Sequence, residues 1–228
     1  MYFVGFPTNG FFMENMEALH NSFLFNGMKD RQIESALKKL EATEKKYRKN
    51  SYLITSGQKE TCLGLMLEGS AVASQDDIWG NRYEINVISN GESFAEPYAA
   101  SDMSSQINVQ AMETCRVLWL NISKINFAGN DPILLMVASN LLQAMALKLL
   151  CLHERMSHIS KQTTKDKIMS YLSSQSIKNK SMDFVIPFDR QQLADYLAVE
   201  RSAMSAELSK LRKEGRIKTR KSHFTIYP

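Results

Sequence analysis

Between Phe188 and Ile217 the chain spells two short amphipathic helices joined by a three-residue turn, and no other stretch constrains it as tightly. Asp189 is placed to cap the first helix, with Gln192 three residues on to complete a capping box. Leu193, Ala194 and Leu197 form that helix's inner face, and Ala198-Val199-Glu200 is the turn. Met204, Leu208 and Leu211 recur at i, i+4, i+7 in the second helix, leaving Arg201, Ser202, Ser205 and Ser209 on its outer face. This is the spacing of a helix-turn-helix, whose second helix enters the DNA major groove. A plain helical hairpin is the alternative, but its solvated face would favour Glu and Lys over a row of small hydroxyls led by an arginine.

Beyond Gly215 the cations Arg216, Lys218, Arg220 and Lys221 are interleaved with Ile217 and Thr219, and Phe224 and Ile226 alternate across a turn at Lys221-Ser222-His223. This reads as a β-hairpin wing whose cations meet phosphates, contacts that position the protein without reading sequence. The charge balance agrees. Residues 1–160 carry 14 Lys/Arg against 17 Asp/Glu, whereas residues 161–228 carry 14 against 7. All of the positive excess therefore lies where a polyanion would be met. The predicted DNA contacts are Arg190, Gln191, Arg201, Ser202, Ser205, Ser209, Lys210, Lys218, Arg220 and Lys221. Arg201 is the candidate for a bidentate contact to guanine.

Upstream, the pattern is helical from Met13 to about Lys49, with Ile33, Leu37 and Leu40 at i, i+4, i+7. From Tyr52 to Ile122 it changes to short runs bounded by turn residues: 52–54, 63–67, 71–73, 83–88, 107–112 and 117–122. Short strands at that even spacing argue an antiparallel sandwich or roll. Asp131-Pro132 opens a long helix. Its residues Leu134, Leu141, Met145, Leu149, Leu152, Met156 and Ile159 are close to a heptad seam, flanked by Leu135, Leu142 and Leu150. That is more apolar surface than one neighbour covers, so a homodimer helix is expected, a purely internal core helix being the alternative. Ser160–Thr164 is a polar breaker and a plausible hinge. A helix over 165–175 follows, then a polar loop and a short strand at 184–187.

Other classes are weakly supported. Cys62, Cys115 and Cys151 are widely spaced and form no CxxC or Cys/His cluster, so free buried thiols are expected, with a redox-sensing thiol as the alternative. No cofactor or metal is indicated. The N-terminus lacks the layout of a signal peptide, and Asn140, Gln143 and Lys148 make the long helix too polar for a membrane span. No nucleophile elbow, P-loop, dinucleotide fingerprint or paired-carboxylate constellation points to an enzyme.

On these residues the chain resembles the cyclic-AMP receptor protein / fumarate–nitrate reductase regulator family of bacterial transcription factors, over roughly residues 15–228. The segments Tyr52–Gly57, Leu65–Gly69 and Asn90–Glu96 are similar to the strands and turns of that family's cyclic-nucleotide-binding-type β-roll. The resemblance implies an α+β chain: an antiparallel β-roll of the jelly-roll type over 1–127, a dimerisation helix and hinge over 128–160, and a winged helix-turn-helix over 161–228. It also implies a cytoplasmic homodimer on double-stranded DNA, with RNA polymerase as partner and no membrane. By alignment, Glu96, Tyr98, Ser105 and Gln106 fall in the effector pocket. The family's cyclic-nucleotide binders carry Gly-Glu and Arg-Ser there, whereas this chain has Ala95-Glu96 and Ser105-Gln106, with no arginine between Arg82 and Arg116. The cyclic phosphate thus lacks its charge partner, and cyclic AMP is not the expected effector. The iron–sulfur and haem branches fit no better: no cysteine precedes Cys62, and no histidine lies in 52–122. His153 and His158 read as surface residues. In the recognition helix, Ser202 and Ala206 replace a frequent glutamate and arginine, so a different half-site is expected. The effector itself stays unknown. An effector-independent regulator with an empty roll, or a winged helix that docks a protein, are the alternatives.

Overall fold

A computed structural model describes residues 2–4, 9–101, 103–127 and 129–227. Two compact units divide the chain, residues 1–144 and 145–228.

The first unit is a β-roll dressed by helices. After strand β1 (Tyr2–Val4) come helix α1 (Asn9–Asn21), a short 3-10 turn (Phe23–Phe25) and helix α2 (Asp30–Lys39). Strands β2 (Thr43–Tyr47), β3 (Tyr52–Ile54), β4 (Leu63–Glu68), β5 (Ala71–Asp76) and β6 (Arg82–Ile88) follow. Strand β7 (Ser93–Phe94) leads into helix α3 (Glu96–Ser101), and β8 (Asn108–Ala111) and β9 (Cys115–Leu120) close the roll. The strands form two antiparallel sheets, in the orders β1-β2-β9-β4-β7 and β3-β8-β5-β6. Their inner faces share a core of Tyr47, Leu53, Met66, Ile88, Phe94, Val109, Val117 and Trp119. Trp119 meets Phe94 edge to face, and its Nε1 donates to the Tyr47 hydroxyl at 3.0 Å, so the polar end of the indole is satisfied inside the roll. Gly69 makes the tight β4–β5 turn at φ 84°, where a Cβ would come within 2.5 Å of the Thr114 carbonyl. Only glycine fits there.

Strands β1, β2 and β7 were not visible in the pattern, and β2 replaces a predicted helix. The predicted helix to Lys49 ends at Leu40, Glu41 turns the chain at φ 49°, and Thr43–Tyr47 joins the sheet instead. Its Glu44, on the face opposite Tyr47, is buried and accepts from Arg116 Nε on β9 at 2.7 Å. A charged pair fills a place where the alternation rule looks for an apolar residue.

Helix α4 (Pro132–Ile159) contributes to both units. Its first half seals the N-terminal helices: Leu134, Val137 and Leu141 are buried, and Asn140 Nδ2 donates to the carbonyls of Leu24 and Asn26, both at 3.0 Å. The predicted seam is therefore divided. Leu134 and Leu141 belong to the subunit's own core, while Leu149, Leu152 and Met156 are exposed. In the first half of the helix the exposed positions are the neighbouring Leu135 and Leu142. Leu135, Leu142, Leu149 and Met156 repeat every seven positions, each about half or more exposed, with Leu152 beside them. By length and composition alone α4 is also long and apolar enough to cross a membrane over its most apolar 18-residue window, despite Asn140, Gln143 and Lys148. Only 22% of that window is buried. Cys151 lies exposed on this helix, against expectation, whereas Cys115 is buried and Cys62 half-buried, both with thiol pKa values pushed up by burial.

In the second unit, helix α5 (Thr164–Asn179) precedes strand β10 (Asp183–Val185), helices α6 (Arg190–Leu197) and α7 (Arg201–Lys213), and strands β11 (Ile217–Arg220) and β12 (His223–Ile226). The three strands form one antiparallel sheet, β10-β12-β11. Helix α5 runs four residues beyond its predicted end because Ser176 is buried and donates to Ser181 O at 2.8 Å, so a polar residue holds an inward position.

Candidate nucleic-acid interface

The α6–α7 hairpin forms as its sequence requires. Asp189 accepts from the Gln192 backbone N–H while the Gln192 side chain accepts from the Asp189 N–H, a complete capping box. Ala198 ends α6 in the left-handed region at φ 50°, and Glu200 starts α7. Met204, Leu208 and Leu211 are buried against Ile168, Tyr171, Leu172, Leu193, Leu197, Ile217 and Phe224. With that stripe inward, Arg201, Ser202, Ser205, Ser209 and Lys210 are all exposed on α7. Lys218, Arg220 and Lys221 are exposed on the wing, whose turn takes Lys221 through φ 53°. Gln191 is exposed at the head of α6, its amide donating to Asp195 Oδ1 at 2.8 Å.

Arg190 departs from the outward placement expected of it. Its guanidinium is half-buried between α6 and the wing, donates to Thr219 Oγ1 at 2.8 Å and lies 4.9 Å from the centre of the Phe224 ring. Burial pulls its pKa down. Arg212, one turn beyond Ser209, lines a cleft together with Arg190 and Thr219 and was not among the predicted contacts. Its spacing from Arg201 and Ser205 could have suggested it, since 201, 205, 209 and 212 climb one helical face.

The end of α4 is bolted to this unit. Arg155 donates to the carbonyls of Tyr196 and Asp195 and lies over the Tyr196 ring. Glu154 pairs with Lys178 of α5 at 2.6 Å. His158 is buried, not a surface residue, with Nδ1 2.8 Å from Ser170 Oγ and its ring against Tyr171 and Tyr196. His153 is exposed as expected. These contacts span the predicted Ser160–Thr164 hinge. Burial lowers the His158 pKa: Glu154, 3.9 Å away, favours the charged form, but Lys178 already neutralises that carboxylate and Lys161 adds repulsion, so desolvation wins. A depressed histidine contributes stability in its neutral form. That contribution is complete above the ordinary histidine value of about 6.5 and drains away as pH falls below it. The unit is expected to lose stability between pH 7 and 5, and His158→Asn to flatten that loss. Thermal unfolding of both proteins across this range checks it, and equal pH slopes would refute the assignment.

In the roll, the four pocket candidates differ in environment. Glu96 is buried at the start of α3 and accepts from Ser93 Oγ at 2.5 Å; Tyr98 is half-buried; Gln106 is exposed. Ser105 is buried, but its hydroxyl is spent on the Ile107 backbone, donating to its carbonyl and accepting from its N–H. The two flanking arginines are engaged elsewhere: Arg82 with Asp76, Gln110 and Tyr52, and Arg116 with Glu44 and Glu68. Among the described residues, no group of His, Cys, Asp and Glu is arranged to hold a metal ion.

A β-roll, a long apolar helix and a winged helix-turn-helix with a cationic wing together define the class of DNA-binding transcription regulators. Residues 44–127 match the cyclic nucleotide-binding domain family, and residues 166–227 match the Crp-like helix-turn-helix domain family. The chain belongs to the cyclic-AMP receptor protein / fumarate–nitrate reductase regulator family. Solved structures share the fold at low identity. A Silicibacter pomeroyi DSS-3 protein assigned as a cAMP-binding regulatory protein is 17% identical over 95% of each chain, with a TM-score of 0.52. CprK complexed with OCPA is 16% identical over 81% of this chain and 86% of its own, with a TM-score of 0.55. The sensor domain of the regulator DNR from Pseudomonas aeruginosa is 17% identical over 67% of this chain and 98% of its own, with a TM-score of 0.51. No curated protein sequence matches the chain.

Proposed function

We propose that the protein is a cytoplasmic homodimer that reads a pseudo-palindromic DNA site and acts on transcription, with RNA polymerase as the expected partner, rather than a catalyst. The observation that carries this reading is the exposed Arg201-Ser202-Ser205 face of α7, held above a basic wing. Arg201 reads a base edge, and Lys218, Arg220 and Lys221 hold phosphates. The exposed heptad row of α4 supports pairing with a second copy, which places two recognition helices about one helical turn of DNA apart. Control acts by population shift at Ser160–Thr164, where the Arg155 and His158 contacts define one of the two states.

A cyclic nucleotide is not the effector we favour, because the roll's nearest arginines are already paired. The same observation, with the self-satisfied Ser105, supports the second reading, a roll that takes no effector. Native mass spectrometry of freshly purified protein separates the two by reporting dimer mass and any retained small molecule together. Within the DNA interface, Arg201→Ala should cost about 1–3 kcal/mol of discrimination at one base pair. Lys218→Ala should instead weaken binding to every sequence alike and lower the salt slope by about 0.9. Binding to randomised duplexes tests both, and identical behaviour of the two variants would refute the assigned roles.

A further inference from the structure

Between α7 and the wing lies a cleft of about 170 Å³, lined by Arg190, Ser205, Leu208, Ser209, Arg212 and Thr219. Two arginines and three hydroxyl-bearing residues line it, with one leucine and no carboxylate-bearing residue. Such a set of donors invites an anion.

Arg190 sharpens the point. A cation withdrawn from water is costly unless an opposite charge compensates it. The Arg190 guanidinium is half-buried, yet its partners are a neutral hydroxyl and an aromatic face. The carboxylate next to it in sequence, Asp189, is committed to capping α6. Thr219 adds a direction. Its hydroxyl accepts from Arg190, so its own hydrogen is free to donate to something else. Ser209, by contrast, already donates to Ser205 O at 3.0 Å and offers little to a base.

We infer that this cleft seats one phosphate-class oxyanion, gripped by Arg190 and Arg212 and hydrogen-bonded by Thr219. The inference rests on the DNA reading and deepens it, for the natural source of that group is one backbone phosphate beside the recognition helix. Free inorganic phosphate is the other source of the same chemistry. If the phosphate belongs to DNA, Arg190 positions the helix, and sequence discrimination falls to Arg201 and Ser202.

The test uses the full chain with two variants that spare the core, Arg212→Gln and Thr219→Val. Titration of the wild type with inorganic phosphate, followed through arginine side-chain NMR signals, should shift Arg190 and Arg212, and Arg212→Gln should abolish the shift of Arg190. On a random-sequence duplex, Arg212→Gln should lower the salt slope by about 0.9, so that affinity falls about 3.5-fold less between 50 and 200 mM salt. Thr219→Val removes no charge, so it should weaken duplex binding about tenfold while leaving the slope intact. Both duplex effects together assign the site to a DNA phosphate. A phosphate-induced shift with unchanged duplex binding assigns it to a free anion. A reduced slope with Thr219→Val silent and no phosphate-induced shift means that Arg212 feels only the diffuse field of DNA, which overturns the proposal, as does silence in every arm. A wild type that binds no duplex would sink the DNA reading, while the phosphate titration would still decide the cleft.

Discussion

Replacing Leu142 and Leu149 together with glutamate is expected to yield a folded monomer that binds a two-half-site duplex about 10²–10⁴-fold more weakly. Both side chains are mostly exposed, at 70% and 67%, so the subunit's own core does not miss them. They are successive members of the seven-residue row, so glutamates there would place charge at the centre of a helix–helix seam, where no partner repays the lost hydration. The loss in DNA binding follows from linkage: with one recognition helix instead of two, the second half-site no longer benefits from a high effective concentration. Sedimentation and duplex titration measure the two parts separately. A variant that remains dimeric would refute the seam. Leu141→Glu provides the contrast, since Leu141 is buried within the subunit and the same change there should unfold it.

Truncating Leu211 to alanine is expected to cost about 2–5 kcal/mol, a large share of the 5–15 kcal/mol that holds a typical domain together. Leu211 is fully buried near the end of α7, in the core that ties the recognition helix to Tyr171, Ile217 and Phe224. The loss should be local. Amide exchange should rise through residues 145–228 and leave the roll protected, because the two units have separate cores. DNA binding should fall for all sequences in parallel. Uniform loss of protection across both units, or an unchanged melting curve, would contradict this division.

The parts of this fold that were legible share a single physical cause. Where a helix buries one face, its period appears in the residues, and the capping box at Asp189 and the stripe Met204-Leu208-Leu211 could be read directly. Reading failed where a polar group took a buried place. Glu44 and Arg116 hid a strand, Ser176 hid the last turn of α5, and His158 looked like a surface residue until its serine and tyrosine partners were brought to it. In the first half of α4 the exposed members of the row are the flanking Leu135 and Leu142, not Leu134 and Leu141, for a different reason. Leu134-Leu135 and Leu141-Leu142 are adjacent apolar pairs, and periodicity cannot say which member of each pair faces inward. Arg190 was expected to point outward because arginine in a basic segment usually does; Phe224, far along the chain, turns it round.

The corner between α6 and α7 has a consequence of its own. Ala198 occupies a backbone shape that alanine dislikes by about 1–2 kcal/mol, and glycine would adopt it freely. The bend therefore does not originate in the residue that makes it. It is imposed from both sides, by the Val199 N–H bonded to Ala194 O and by Leu197 and Met204 sunk into a common interior. An elbow made this way resists flexing, because relaxing its middle residue would require its flanks to let go. The angle at which the second helix is presented is thus as firm as the packing beneath it.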